Sequence, residues 1–260
     1  MKVGIIGYGY VGKAVASVYG DVLYYDPAYQ EGSHSINELK QQCEVIFVCV
    51  PTPSDKNGSC DSQILTETIA HLTGFTGLVI SKSTAIPQVY SDLQARYPEM
   101  KLAHVPEFLT TENAEMDYQY PVNIVIGCRQ DIRQDVFSAI ITDKVHFDYT
   151  KVKFCNIAEA AMFKYLANTM LAMKVVINNE YYELCNSLGI SWNAITKIAE
   201  NDPRLGDTHW KVPGPDGSHG FGGTCLTKDT LAIQSLAKFL NVDMSMLNSA
   251  LVKNSVLRTK

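Results

Sequence analysis

The chain has no run of lysine or arginine and no basic stripe interleaved with aromatics, so it lacks the electrostatic footprint of a nucleic-acid binder. Its net charge at pH 7 is −5, which points the same way. No Cys-x-x-Cys pair occurs among the seven cysteines, and an odd number of thiols argues for a reducing compartment rather than a disulfide framework. The six histidines are scattered without zinc spacing, so no metal is expected. Nothing reads as about 18 consecutive apolar residues, and the first apolar segment after Met1 is broken by glycines before it could act as a leader. These absences favour a cytoplasmic protein that works without membrane, nucleic acid, disulfide or metal. Internal repeats and low-complexity segments are also missing.

What is present is enough apolar residue to build a core: 46% of 260 residues, the size of one large or two modest domains. The chain opens with the apolar strand pattern Lys2-Val-Gly-Ile-Ile, then Gly7-Tyr-Gly-Tyr-Val-Gly12, then a helical run from Val11 to Tyr19. This is Gly-x-Gly-x-x-Gly between a strand and a helix, the context in which it binds a dinucleotide. Gly7 serves the tight turn, Gly9 the close approach of a pyrophosphate and Gly12 the packing of helix on strand. The next apolar run, Val22-Leu-Tyr-Tyr, ends at Asp26, where a carboxylate bonds ribose hydroxyls and repels a 2′-phosphate. NAD is therefore the expected cofactor, ahead of NADP.

Strand and helix patterns alternate through the first half, which predicts an α/β, Rossmann-like doubly wound parallel sheet over residues 1–150. Strands are predicted at Val45–Val50, Leu78–Lys82, Lys101–His104, Val122–Ile126 and Lys144–Phe147, and helices near Ile36–Gln42, Gln88–Arg96 and Asp131–Ile140, with one ending near Leu72. The loops after Val50, Lys82 and His104 leave carboxyl ends of strands, where ligands bind in this architecture.

Residues 151–260 change character and predict a helical domain. Ala160, Phe163, Leu166, Ala167, Met170, Leu171, Met173, Ile177 and Leu184 recur at helical spacing over Asn156–Leu188. Shorter helices follow near Ala194–Glu200, Lys228–Leu240 and Met244–Leu257. Between them Asn201–Thr224 is too long and too rich in Gly and Pro for an ordinary connection, and loops of that kind are functional or disordered.

That loop runs into Gly220-Phe-Gly-Gly-Thr-Cys-Leu-Thr-Lys-Asp229. If a helix starts after Gly223, Cys225 stands in its first turn, a position suited to a nucleophilic sulfur. Asp229 and Lys228 then lie on or near the same helix face. The competing reading is a structural cysteine behind a tight turn. Lys164 and Asn168, four apart on the long helix, share a face; a solvated surface lysine is the ordinary reading, whereas large apolar neighbours favour a partly buried ammonium able to stabilise an oxyanion.

Taken together, Gly7–Gly12, Phe47-Val-Cys-Val-Pro-Thr-Pro53, Lys82-Ser-Thr-Ala-Ile-Pro87, Pro106-Glu-Phe-Leu109, Lys164-Tyr-Leu-Ala-Asn168 with Lys174 and Asn179-Glu180, and Gly220–Asp229 resemble the nucleotide-sugar 6-dehydrogenases, the UDP-glucose/GDP-mannose dehydrogenase family. The motifs stand in family order and span the chain from Met1 to about Asn254. The resemblance implies oxidation of a sugar C6 alcohol to a carboxylate with two NAD⁺, UDP-glucose ranking first as substrate. It implies that Cys225 adds to the C6 aldehyde, passes through a thiohemiacetal and a thioester, and is released by hydrolysis. Lys164 and Asn168 would hold the C6 oxygen, Thr84 and Asp229 would position water, and Glu107 would act as base. Gly7, Gly9, Tyr10, Val11, Gly12, Asp26, Val50, Pro51, Thr52, Ser83, Thr84 and Glu107 would line the NAD site. Phe108, Leu109, Lys164, Asn168, Phe221, Gly222, Gly223 and Cys225 would meet the sugar nucleotide.

The sequence departs from the family pattern in three places. Thr111 stands where a second glutamate is common, with Glu112 one position late, and Thr227 stands where proline is common. The family also continues into a third, α/β domain that closes over the nucleotide, which would begin about where this sequence ends. The expectation is therefore a dehydrogenase that is minimal or completed by a partner: a homodimer through the long central helix, and a separately encoded partner domain. The alternative is a non-catalytic NAD-binding subunit or scaffold derived from the same family.

Overall fold

The computed structural model describes residues 1–29 and 31–259. The chain divides into two compact units, one made of Met1–Pro53 and Asp61–Lys164, the other of Ser54–Cys60 and the segment from Tyr165 onward.

The first unit is built on seven strands: β1 (Val3–Ile6), β2 (Val22–Tyr25), β3 (Val45–Val48), β4 (Leu78–Ser81), β5 (Lys101–His104), β6 (Ile124–Cys128) and β7 (Val152–Cys155). They lie in the order β2-β1-β3-β4-β5-β6-β7. Every neighbouring pair is parallel except β5–β6, so the sheet is parallel-dominated, as the alternating pattern predicts. Four-residue apolar runs such as Val3–Ile6 and Val45–Val48 form strands because helices cover both sheet faces and every side chain is buried. Helices α1 (Tyr10–Tyr19), α2 (Ile36–Gln42), α3 (Gln63–His71), α4 (Pro87–Arg96), α5 (Ala114–Gln119) and α6 (Arg133–Ile140) supply that cover. Val3, Ile5, Phe47 and Ile80 pack with Ala14, Val15 and Val18 of α1 and with Val136 and Ile140 of α6. On the opposite face a Cβ added to Gly4 would meet Leu39 of α2 and Ile46 of β3 at 3.3 Å, which places the second helical layer there.

Two expectations are corrected. Lys144–Phe147 is not a strand; β7 is Val152–Cys155, paired to β6 from Ile124↔Val152 to Gly127↔Cys155. Helix α5 was not predicted, because Ala114-Glu-Met-Asp-Tyr-Gln buries only Ala114 and Tyr118.

The 32-residue helix α7 (Ile157–Leu188) gives its first turns to the sheet unit and the rest to the helical unit. By length and composition alone it could cross a membrane, which corrects the expectation that no such stretch exists. Three of its buried amides are bonded within the protein as in a core helix: Asn168 donates to Asp229, Asn178 to the carbonyl of His209 and Asn179 to that of Val175.

The second unit continues with α8 (Trp192–Ala199), α9 (Thr224–Phe239) and α10 (Ser245–Leu257). Its core joins Ala172 and Val176 of α7 with Phe221 and Leu257, flanked by Leu226 and Leu251. The long loop before α9 is tied down rather than loose. Lys174 donates to the carbonyls of Leu205 and Thr208 and sits 4.1 Å from the Trp210 ring centroid.

Candidate active site

In the sheet unit the glycine motif closes β1 onto α1. Gly7 has φ +91°, and a Cβ there would stand 2.6 Å from the Cys49 carbonyl oxygen, so only glycine fits the turn. A Cβ on Gly12 would overlap the Gly7 carbonyl at 2.2 Å, which fixes how closely α1 sits on β1. At Gly9 the same addition meets nothing within 4 Å, leaving open space where the helix begins. Helix α1, whose first turn holds Tyr10, Val11 and Gly12, starts at Gly9 without a side-chain cap, and the N-terminus of a helix favours an anion. Asp26 closes β2 and accepts from the Tyr8 N–H at 2.6 Å and the Ala28 N–H at 2.8 Å, so its carboxylate is held by backbone at the end of the strand. Open space at Gly9, an uncapped helix start and a fixed carboxylate form a donor and acceptor set that fits a dinucleotide.

The loops after β3 and β4 are stitched together beside this cradle. Thr52 Oγ1 donates to the Thr84 carbonyl at 2.5 Å and Ser83 Oγ to the Val50 carbonyl at 2.7 Å, which brings Val50–Thr52 and Ser83–Thr84 side by side. After β5 the chain turns through Pro106-Glu107-Phe108-Leu109. Lys164 Nζ lies 3.1 Å from Glu107 Oε1 and also donates to the Glu107 carbonyl. Both side chains are under a tenth exposed, at 5% and 7%. The other oxygen, Glu107 Oε2, accepts from the Leu109 N–H at 2.7 Å, and Phe108 sits edge-on to Phe163. This is a buried, fully hydrogen-bonded ion pair rather than a solvated surface lysine.

In the helical unit Gly223 (φ +74°) turns the chain into α9, whose first turn holds a partly exposed Cys225. One turn on, Asp229 is buried, accepting from Asn168 Nδ2 at 2.6 Å and pairing with Lys228 Nζ at 2.5 Å. Asn168, Asp229 and Lys228 thus form one cluster, and Phe221 anchors the glycine segment in the core.

Residues 29–144 match the profile of the UDP-glucose/GDP-mannose dehydrogenase family NAD-binding domain, and residues 158–256 match that of its central domain. The chain belongs to this family. It is 30% identical over 228 residues to the UDP-glucose 6-dehydrogenase of Rickettsia bellii, a match covering 84% of this chain and 50% of the relative. It is 30% identical over 242 residues to the GDP-mannose 6-dehydrogenase of Pseudomonas aeruginosa, covering 86% and 53%. The chain therefore spans about half the length of these curated relatives. The solved UDP-glucose dehydrogenase of Pyrobaculum islandicum shares the fold with a TM-score of 0.81 at 24% identity, over 98% of this chain and 68% of that one. NAD is the cofactor of the family's N-terminal domain, and the cradle around Gly7–Gly12 and Asp26 fits it.

One buried group of this family member was not singled out as a site residue from the sequence. Lys82, at the end of β4, is 6% exposed, with its ammonium 5.0 Å from the Tyr118 ring centroid. Together with Glu107, Tyr118 and Ile124 it lines a cavity of about 50 Å³. Burial pushes its pKa down to about 8, an effect that Cys49 and Glu107 oppose. Because the ammonium is disfavoured in the fold, its cost is fully present below pH 8 and fades as pH rises from there toward the unfolded value. Lys82→Met is therefore expected to raise stability by about 2–3 kcal/mol at pH 7. Urea titrations across pH 7 to 10.5 should show the gain shrinking with rising pH. A loss at pH 7 would mean that the ammonium is compensated.

Proposed function

We propose that the protein is an NAD-dependent nucleotide-sugar 6-dehydrogenase that takes a C6 alcohol to the carboxylate, with UDP-glucose the first candidate substrate. The observation that carries this reading is Cys225 in the first turn of α9, with the buried Asp229 one turn on and Asn168 bonded to it. A simple alcohol dehydrogenase needs no sulfur nucleophile, whereas a four-electron oxidation uses one to hold the aldehyde.

NAD⁺, two molecules per sugar, would supply the hydride acceptors for the four-electron oxidation. Backbone N–H groups at the start of α1 would hold its pyrophosphate and Asp26 its ribose, while Val50–Thr52, Ser83 and Thr84 would flank the nicotinamide side. In the first step the C6 hydroxyl loses its proton to a base and one C6 hydrogen leaves as hydride. Cys225 Sγ then bonds C6 of the aldehyde, and Lys164 and Asn168 stabilise the oxygen on which charge develops. Loss of the second C6 hydrogen as hydride leaves a thioester. Hydrolysis of the thioester would then break the C6–S bond and free the acid, with Glu107 as the base that takes the water's proton; the family resemblance gives Thr84 and Asp229 the role of positioning water. Phe108, Leu109, Phe221, Gly222 and Gly223 would border the sugar nucleotide.

Homodimerisation along α7 belongs to the same proposal. Leu166, Met170, Ile177, Tyr181, Leu184 and Leu188 of the helical unit are all half exposed or more, at spacings that set them along one stripe. Cytoplasmic residence fits a soluble sugar-nucleotide substrate.

The test is NADH formed per sugar consumed over a panel of UDP- and GDP-sugars. Two per sugar is the expected result. One per sugar would point to a two-electron dehydrogenase, and NAD binding without turnover to a non-catalytic subunit.

A further inference from the structure

The glycine segment before α9 is held by residues far away in sequence, and the bonding is unusually complete. Asn254, on α10 and 9% exposed, accepts from the Phe221 N–H through Oδ1 at 2.7 Å and donates from Nδ2 to the Phe221 carbonyl at 3.0 Å. One side-chain amide thus satisfies both backbone groups of one residue, as a neighbouring strand would. The preceding residue is fixed from the other side, since Asn179 Oδ1 on α7 accepts from the Gly220 N–H at 3.2 Å and lies 3.0 Å from His219 Nδ1.

The glycines record how close this clamp stands. A Cβ on Gly220 would lie 2.4 Å from Asn254 Oδ1, and one on Gly222 would lie 2.8 Å from the Arg258 guanidinium, which Asp216 holds at 2.6 Å. Helix α9 has no side-chain cap at Gly223, so the local device that most often marks where a helix begins is not used here. The fixed points nearest Cys225 on its N-terminal side are therefore Phe221, buried in the core, and the amide that grips its backbone.

We propose that Asn254 is a positioning residue: by clamping Phe221 it sets the start of α9 and hence the place of Cys225. Its effect on turnover rests on the reading of Cys225 as nucleophile; its effect on local order does not. The position demands one donor and one acceptor at once, which an amide has and a carboxylate lacks.

Asn254→Asp tests this with a built-in reversal. Ionised, the aspartate keeps the acceptor for the Phe221 N–H but turns a second oxygen on the Phe221 carbonyl; protonated, it donates and accepts as asparagine does. Hydrogen exchange of a peptide covering 220–227, taken as a ratio to wild type at each pH, should rise about tenfold at pH 7.5, roughly 1.4 kcal/mol of local opening. It should begin to fall below about pH 5 and approach one only near about pH 3.5, because a tenfold effect raises the carboxyl only about one unit above its usual value of about 3.9. His219 and the Asp216–Arg258 pair, the charged or titratable groups beside the segment, are common to both proteins and cancel in the ratio. In turnover, kcat should fall by a similar factor with KM for NAD unchanged, and recover over the same pH range. Asn254→Ala, which removes both bonds without adding a charge, is the second variant if Asp prevents folding, and its exchange should rise at least about tenfold with no reversal at low pH. Exchange within twofold of wild type at pH 7.5 would overturn the proposal, as would lost protection without a change in kcat. If wild type itself shows no turnover, the exchange ratio still decides whether Asn254 orders the segment, and the functional reading fails separately.

Discussion

Cys225→Ser is expected to lower acid formation by at least about 10³-fold, roughly 4 kcal/mol in the barrier, while the first two-electron oxidation stays measurable. Serine differs by one atom and sits in the same first turn of α9, so the buried Asp229 and its bonds to Asn168 and Lys228 stay in place. What changes is the nucleophile, because a serine hydroxyl near neutral pH attacks far more slowly than sulfur without a base beside it. The variant should therefore stop at the aldehyde, yielding at most one NADH per sugar, with the aldehyde trapped by hydroxylamine. Retention of two NADH per sugar would assign the second oxidation to the hydrated aldehyde, with no covalent step.

Much of the fold was legible because its signals are local. Short apolar runs bounded nearby by glycine, proline or a charged residue mark the first four strands, and α2 falls over Ile36–Gln42 because Ser35 and Glu38 form a capping box that marks its start. The failure at the sheet edge has a specific cause. Lys144-Val-His-Phe and Lys151-Val-Lys-Phe read alike, and only tertiary packing separates them. Val145 is buried in the core and Phe147 packs against Phe137 of α6, whereas Val152 and its neighbours take the ladder beside β6. The missed α5 is the converse case, a polar hexamer made helical by the contact of two buried side chains with α1 and the sheet.

The apolar spacing of α7 was readable, but not which residues it buries. Leu166, Met170, Ile177 and Leu184 were taken with the helical pattern, yet they are exposed, while Ala172 and Val176 face the core. A stripe that is apolar on both sides hides this distinction from periodicity. Motifs likewise pointed to residues carrying reactive groups and were blind to their supports. Lys82 stands inside a quoted motif but only burial marks it out, and Asn254 meets Phe221 across 33 residues of sequence. Neither relation leaves a pattern that spacing alone reveals.

Lys164→Met is expected to cost about 3–5 kcal/mol of stability in addition to abolishing turnover, because it strands a buried carboxylate. In wild type Glu107 Oε1 is 3.1 Å from the ammonium and Oε2 accepts from the Leu109 N–H, so both oxygens are satisfied with little access to water. Methionine fills much of the lysine volume against Phe108 but removes the charge and the donor to the Glu107 carbonyl. Lys82 lines the same cavity as Glu107, yet its ammonium is already penalised by burial, so it is a poor substitute. The double variant Lys164→Met/Glu107→Gln removes the stranded charge and should regain most of the lost stability, giving a coupling of a few kcal/mol in the mutant cycle. Turnover should not return with it, since the oxyanion of the proposed reaction would still lack its cation. Equal losses in the single and double variants would mean that Lys164 stabilises the fold through its ammonium over the Phe108 ring, with the ion pair contributing nothing.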